Sequence, residues 1–412
     1  MATDIQILRD LARRIVEISE SPVNLERKRL WLKHNSLQGE RPMVLAEDSG
    51  YPRELAPLIQ LSCQEKWARD MEYGLRCRIY HFEQVADDTV IMPYVNINWA
   101  VKTTDYGVQE DIHRPQTEGT LGSIKWDPPV TNIDRDFHKL HPRTYSVDRS
   151  KIEKDRTYIN EIFGGILQPR LRGSYWWTLG LTWAAIRIIG LEPLMMFMYD
   201  DPKGLHRLMA FLRDDHMAYA KWLEAEGLLT LNNENDYIGS GGHGYCNDLP
   251  AKDYTPGSPA RLKDLWVLSE SQETVGVSPE MFEEFIFPYQ KSITDHFGLV
   301  YYGCCEPVHS RWHVIRKMPN LRSVSVSPWC DQAKIAASAG RKYVLCRKPA
   351  PSMISSQRFD EDEIRADIRQ TLTLCRGCEI EFAMKDVHTL AGQPQRLGRW
   401  VQIAREVIAE FH

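Results

Sequence analysis

The chain has 412 residues, 43% of them hydrophobic and 26% charged, with a formal net charge of −5. That composition belongs to a folded globular protein and excludes a disordered chain. Acids and bases are mixed without a basic block, so neither nucleic acid nor an anionic membrane surface is an expected partner.

Residues 1–85 are expected to form a mainly helical extension, broken at Pro52 and Pro57. Its opening stretch, MATDIQILRDLARRIVEISE, carries charge throughout and reads as an amphipathic helix rather than a signal peptide. Residues 86–412 are expected to form the main domain. Within it, residues 105–150 are rich in Asp, His, Pro and Thr and lack periodicity, which predicts a long irregular excursion. The tryptophans of GSYWWTLGLTW are expected in the core or in the wall of a pocket for a flat ligand. The apolar run that follows is interrupted by Arg187, Glu192 and Pro193, so no membrane span is expected.

From about residue 200 the pattern becomes regular. DPKGLHRLMAFLRDDHMAYAKWLEAEG has helical spacing, an Asp-Pro start and a Gly stop. SPEMFEEFIFPYQKSITDHFG is expected as a helix with Ser278 as N-cap and Pro279 in its first turn. The runs LLTLN, LWVLS, LVYY, RSVSVS, KYVLCR and EIEFAM read as short buried strands separated by helices, which demands parallel pairing. Two more strands, within TVIMPYVNINW and near GGILQPRL, would complete eight. The expected fold class is α/β: a (β/α)8 TIM-type barrel with a helical N-terminal extension, or else a doubly wound open sheet.

In a parallel barrel the chemistry sits at the C-terminal strand ends. Those ends carry Asn233 and, beyond it, His243 in GSGGHG; Glu270, Gln272 and Glu273; Cys304, Cys305 and Glu306; Trp329, Cys330 and Asp331; Arg347 and Lys348; and Lys385, Asp386 and His388. Thiol, imidazole and carboxylate suit a metal or proton transfer. GSGGHG lacks the strand–GxGxxG–helix frame of a dinucleotide site. The lone CRGC, Cys375 to Cys378, reads as a helix end capped by Gly377. Nine unevenly spaced cysteines argue against a disulfide framework and for a reducing cytoplasm.

SQETVGVSPEMFEEFIFPYQKSITDHFG with the strand that follows it, and GLEPLMMFMYDDPKGLHRLMAFLRD before it, resemble the uroporphyrinogen decarboxylase superfamily over roughly residues 170–410. That group includes zinc-dependent methyltransferases that take a methyl group from a corrinoid. The methyltransferase branch has a His-x-Cys at the strand end. Here Tyr302 stands in the histidine's place and Cys304 in the cysteine's, while Lys385 and Asp386 lie near the place of a later cysteine. The decarboxylase branch has an Arg-rich RQAGR-like motif, which is absent; the nearest string is RDLARR.

The resemblance implies a barrel and a methyltransferase acting between a corrinoid protein and a small molecule. Zinc would be held by Cys304, Glu306 and His243. Glu270, Gln272, Glu273, Lys348, Lys385 and Asp386 would be catalytic. Asn233, His243, Arg347 and His388 would bind substrate. A metal-free decarboxylase or lyase and a non-catalytic tetrapyrrole carrier are the alternatives, and a homodimer is compatible with each.

Overall fold

The computed structural model describes residues 2–47, 52–114, 124–173 and 179–411. The fold is α/β. Its centre is a parallel six-stranded sheet in the order Met43–Ala46, Glu379–Met384, Val344–Arg347, Leu321–Val326, Leu299–Tyr302, Trp266–Ser269. Five of these strands are expected from their apolar runs. Nearly every residue in them is buried, as a parallel sheet covered on both faces requires.

The sixth strand, Met43–Ala46, lies inside the segment expected to be a helical extension. Helices Ala2–Glu20, Pro22–Asn35 and Lys66–Tyr80 are present there. Met43–Ala46 is nonetheless an edge strand of the main sheet, paired with Glu379–Met384, so the sheet crosses the expected boundary at residue 85. Four apolar residues between polar flanks carry no periodicity, which leaves such a strand without a signal.

Alternate residues along the strands belong to two apolar clusters. Val44, Val267, Val300, Tyr302, Val324, Leu345 and Phe382 pack under the surrounding helices. Met43, Leu45, Trp266, Leu268, Tyr301, Cys346 and Ala383 pack on the other face, closed by Leu30 and Trp31 of Pro22–Asn35.

The hydrogen-bonded ladder ends at Met43–Ala46 and Trp266–Ser269, and side chains take over there. Val44 and Ala46 donate backbone N–H groups to Asp88 and Asp87, each at 2.8 Å. The Asn232 amide accepts from Trp266 N at 2.9 Å and donates to Trp266 O at 3.0 Å. LLTLN, expected as a strand, therefore runs beside the sheet without a backbone ladder. The two strands expected upstream do form, at Tyr94–Asn98 and Gln168–Arg172, but they pair with each other in a separate parallel ladder.

Ser278 caps Pro279–Phe285, accepting Met281 N at 3.2 Å. The expected long helix is divided: a second helix, Phe287–Thr294, follows Ile286, because Pro288 cannot donate to the preceding turn. Asp201 caps Pro202–Ala225 in the same manner. Gly377, at φ +84°, follows the end of helix Glu361–Leu374 and fits the structural reading of CRGC. The nine cysteines are free thiols. No helix among the described residues is long and apolar enough to cross a membrane.

The excursion at 105–150 contains the antiparallel pair Asp111–His113 and Lys125–Asp127. It is tied to the helices by Trp126 Nε1 on Ile186 O at 3.1 Å and Arg143 Nε on Asp215 at 2.7 Å. Trp176 and Trp177 of the tryptophan cluster lie outside the described residues, and Trp183 is exposed.

Candidate functional site

Strand Leu299–Tyr302 stops at Gly303, whose φ of +97° turns the chain and brings Cys304 over the strand ends. The cluster is centred on Ser240 of the GSGGHG loop. Its hydroxyl accepts from Lys348 Nζ at 2.6 Å and Lys385 Nζ at 3.0 Å, and donates to Cys304 Sγ at 3.2 Å. Lys348 also donates to the Cys304 carbonyl at 2.9 Å, which accepts from Ser325 Oγ at 2.6 Å as well. Lys385 donates to Tyr237 OH at 2.9 Å and faces Glu47 Oε2 at 3.9 Å. Both ammonium groups are buried, Lys348 at 3% exposure and Lys385 at 7%.

The Ser240 loop reaches this point because its glycines allow close approach. A Cβ on Gly239 would stand 2.2 Å from the Tyr301 ring, and one on Gly241 2.7 Å from Cys346 Sγ. The backbone therefore lies directly on the sheet's inner face.

The electrostatics follow from this packing. The Cys305 thiol, 3.6 Å away, lowers the Cys304 thiol; burial opposes it; Lys348, Ser240 and Lys385 add to the lowering, and the result is about 6. Cys304 is therefore a thiolate at neutral pH. Burial pushes Lys348 down. Burial acts the same way on Lys385, but Glu47 and Asp386 outweigh it and hold that ammonium above its ordinary value. Burial raises Glu47.

A second group lies beside Cys304. Glu306 is buried, with Oε1 accepting Ser271 N at 2.9 Å and Oε2 accepting Cys304 N at 2.7 Å. Glu270 is buried too: Oε2 accepts Gln272 N at 2.9 Å, and Oε1 has no hydrogen-bond partner. Burial, then the neighbouring Glu273 and Glu306, push the Glu270 carboxyl well above the usual range. It is a buried carboxyl that holds its proton more tightly than usual, close to Cys304. Glu273 accepts Thr182 Oγ1 at 2.7 Å.

The remaining expected residues stand apart. Arg347 points to the outer face and pairs with Asp367 at 2.8 Å, because odd and even positions of a strand face opposite ways. Asn233 donates to Leu249 O at 2.9 Å. Asp386 and His388 are exposed beyond the last strand, Asp386 at a φ of +57°. Asp331 caps the helix Gln332–Ala339. His243 packs edge-on against Trp31, ring centroids 5.1 Å apart, with neither ring nitrogen in hydrogen-bonding geometry although Asp87 and the Asn235 backbone face it.

Ser240, Tyr237, Glu47 and Ser325 were not legible as site residues. Ser240 and Tyr237 lie in a loop with no strand pattern of its own. Glu47 follows the strand that carries no sequence signal. The repeated glycines around Ser240 were the one available cue.

Glu47 and Tyr237, the two partners of Lys385, also line a cavity of about 470 Å3. Leu45, Ala46 and Ile91 make an apolar wall, and His81, Asp87 and His243 supply polar groups. This volume lies in the range of small-molecule sites. A larger recess of about 800 Å3, between Arg27, Arg41 and Arg405, contains none of the cluster.

No family model matches the chain. No curated protein matches it either. Among solved structures it is similar to a methyltransferase from Methanosarcina mazei, with a TM-score of 0.51 and 12% identity, over 93% of this chain and 98% of that one. At that identity the likeness is one of fold.

Proposed function

We propose that this chain is a methyltransferase of the uroporphyrinogen decarboxylase-like superfamily, with Cys304 as the sulfur that carries the methyl group. The observation that carries the reading is a half-buried thiol joined through Ser240 to two buried ammonium groups at the strand ends. The fold likeness to a methyltransferase over nearly the whole length of both chains supports it. On this reading the fold is a (β/α)8 barrel. Segments 87–91 and 228–232 are its two irregular staves, held by the side-chain bonds of Asp87, Asp88 and Asn232.

The chemistry divides into two displacements. The Cys304 sulfur attacks the methyl carbon, the S–C bond forms, and the donor leaves with the electron pair of the broken bond. An acceptor lone pair then takes the methyl carbon and releases the thiolate. On this reading Glu270 would give a proton to a departing group, and Lys348 and Lys385 would hold an anionic substrate; the raised Glu270 carboxyl and the burial of both lysines support it. A corrinoid would, on the same reading, present its methyl group to Cys304 from a partner protein. When bound, a corrinoid supplies a cobalt centre able to give or take a methyl group.

Zinc fits this donor set poorly. Both Glu306 oxygens are engaged by backbone N–H groups, His243 lies against Trp31, and Tyr302 turns away to donate to Gln290 Oε1 at 3.2 Å. No step is therefore assigned to a metal.

The test is to mix the protein with methylcobalamin and a panel of small thiols and carboxylated acceptors, and to follow loss of the cobalt–carbon absorbance. Loss that disappears in Cys304→Ser supports the reading; loss that persists in the variant, or none with any acceptor, removes it. A second reading, a metal-free carboxy-lyase, is favoured by the buried lysine pair. Release of carbon dioxide from a carboxylated substrate without any methyl transfer would select it.

A further inference from the structure

The family resemblance puts a zinc ion on Cys304, yet two buried cations already serve that sulfur. Lys348 Nζ reaches Ser240 Oγ at 2.6 Å and the carbonyl of Cys304 itself at 2.9 Å. Lys385 Nζ reaches the same Ser240 Oγ at 3.0 Å and Tyr237 OH at 2.9 Å. The Ser240 proton then has one direction left, and it points at Cys304 Sγ at 3.2 Å. The bridge of 2.6 and 3.2 Å keeps the Lys348 ammonium within about 6 Å of the sulfur.

A divalent ion seated on this sulfur would stand beside two ammonium groups in a buried site, where like charges repel strongly. The ligands it would need are engaged elsewhere. Glu306 serves two backbone N–H groups, and one oxygen of Glu270 serves a third. Lys385 occupies the region where the resemblance implies a later cysteine. Among the described residues, no three Cys, His, Asp or Glu ligand atoms gather around Cys304. The set that does gather within 4.8 Å is Asp111, His113 and Asp127, on the exposed hairpin.

We propose that the Lys348–Lys385 pair, joined through the Ser240 hydroxyl, replaces the metal ion as the cationic partner of the Cys304 thiolate. With the Cys305 thiol 3.6 Å away, this pair makes the thiol reactive without a metal. This rests on Cys304 being the reactive thiol of the proposed function, but it is tested without turnover, so it stands or falls apart from any methyl donor.

The protein is produced in zinc-supplemented medium, purified without chelator, and compared with Cys304→Ser by elemental analysis and by Co2+ titration in the near-ultraviolet. In parallel, carbamidomethylation of Cys304 by iodoacetamide is followed by peptide mass spectrometry, with and without a chelator. It is measured in wild type, Lys348→Met, Lys385→Met and Ser240→Ala. Zinc should be far below one per chain and equal in wild type and Cys304→Ser. No thiolate–cobalt band should depend on Cys304, and the chelator should leave the labelling rate unchanged. At neutral pH the lysine variants should label about tenfold more slowly. About one zinc per chain that is lost in Cys304→Ser would overturn the proposal. So would labelling that speeds up when metal is removed, or folded lysine variants that label at the wild-type rate. If the lysine variants fail to fold, Ser240→Ala, which should also label more slowly at neutral pH and whose wild-type rate would count against the bridge, and the metal measurements still decide it.

Discussion

Removing the Lys348 charge should move the titration of Cys304 by a calculable amount. Lys348→Met keeps the length and burial of the side chain and deletes the ammonium. At about 6 Å and an effective dielectric of about 20, the lost attraction is about 2–3 kcal/mol. At 1.36 kcal/mol per pKa unit that is about 2 units. The Cys304 midpoint, about 6 in the intact cluster, should therefore rise to about 8. The assay is the iodoacetamide rate at Cys304 from pH 5 to pH 10, resolved by peptide mass spectrometry. In wild type the rate should rise through about pH 6 and level off. In the variant it should be about tenfold lower at neutral pH and converge with wild type once both thiols are ionised. Lys348→Arg should restore part of the shift. A folded Lys348→Met protein whose midpoint moves by less than about half a unit would refute the electrostatic argument.

Other consequences are open to measurement. The raised Glu270 carboxyl means that the native state holds this proton more tightly than the unfolded chain, so its contribution to stability falls as pH rises above the unfolded value of about 4.3. Thermal melts of Glu270→Gln should accordingly gain on wild type between pH 4.5 and 7; an equal offset at all pH values would contradict this. Asn232→Ala strips the backbone of Trp266 of two buried partners and should cost about 2–4 kcal/mol in urea unfolding, where a loss below about 0.5 would show that water replaces the amide. Gly239→Ala would set a methyl group 2.2 Å from the buried Tyr301 ring. It should cost about 1–3 kcal/mol and displace Ser240, so Cys304 labelling at neutral pH should slow as well; a stable variant with wild-type labelling would count against the Ser240 bridge.

Much of the architecture is written locally. Five strands of the main sheet are short apolar runs that no helix period fits, and the N-caps at Asp201 and Ser278 with their following prolines mark helix starts through nearest-neighbour chemistry. Parallel pairing follows from the helices between the strands, and the strand ends then indicate where Cys304, Lys348 and Lys385 meet. Tertiary structure decided what periodicity does not encode. Met43–Ala46 is a strand because Glu379–Met384 offers it a ladder, and Leu228–Asn232 is none because the Asn232 side chain takes the bonds its backbone would have made. Arg347 and Lys348 are neighbours in sequence and opposites in space, since the pleat sends one to Asp367 and the other to Ser240. The chain supplies a thiol, two lysines and a glycine-rich loop from four separate segments. Their convergence on a single hydroxyl is a long-range fact, because Ser240 and Cys304 stand 64 positions apart in sequence and 3.2 Å apart in the fold.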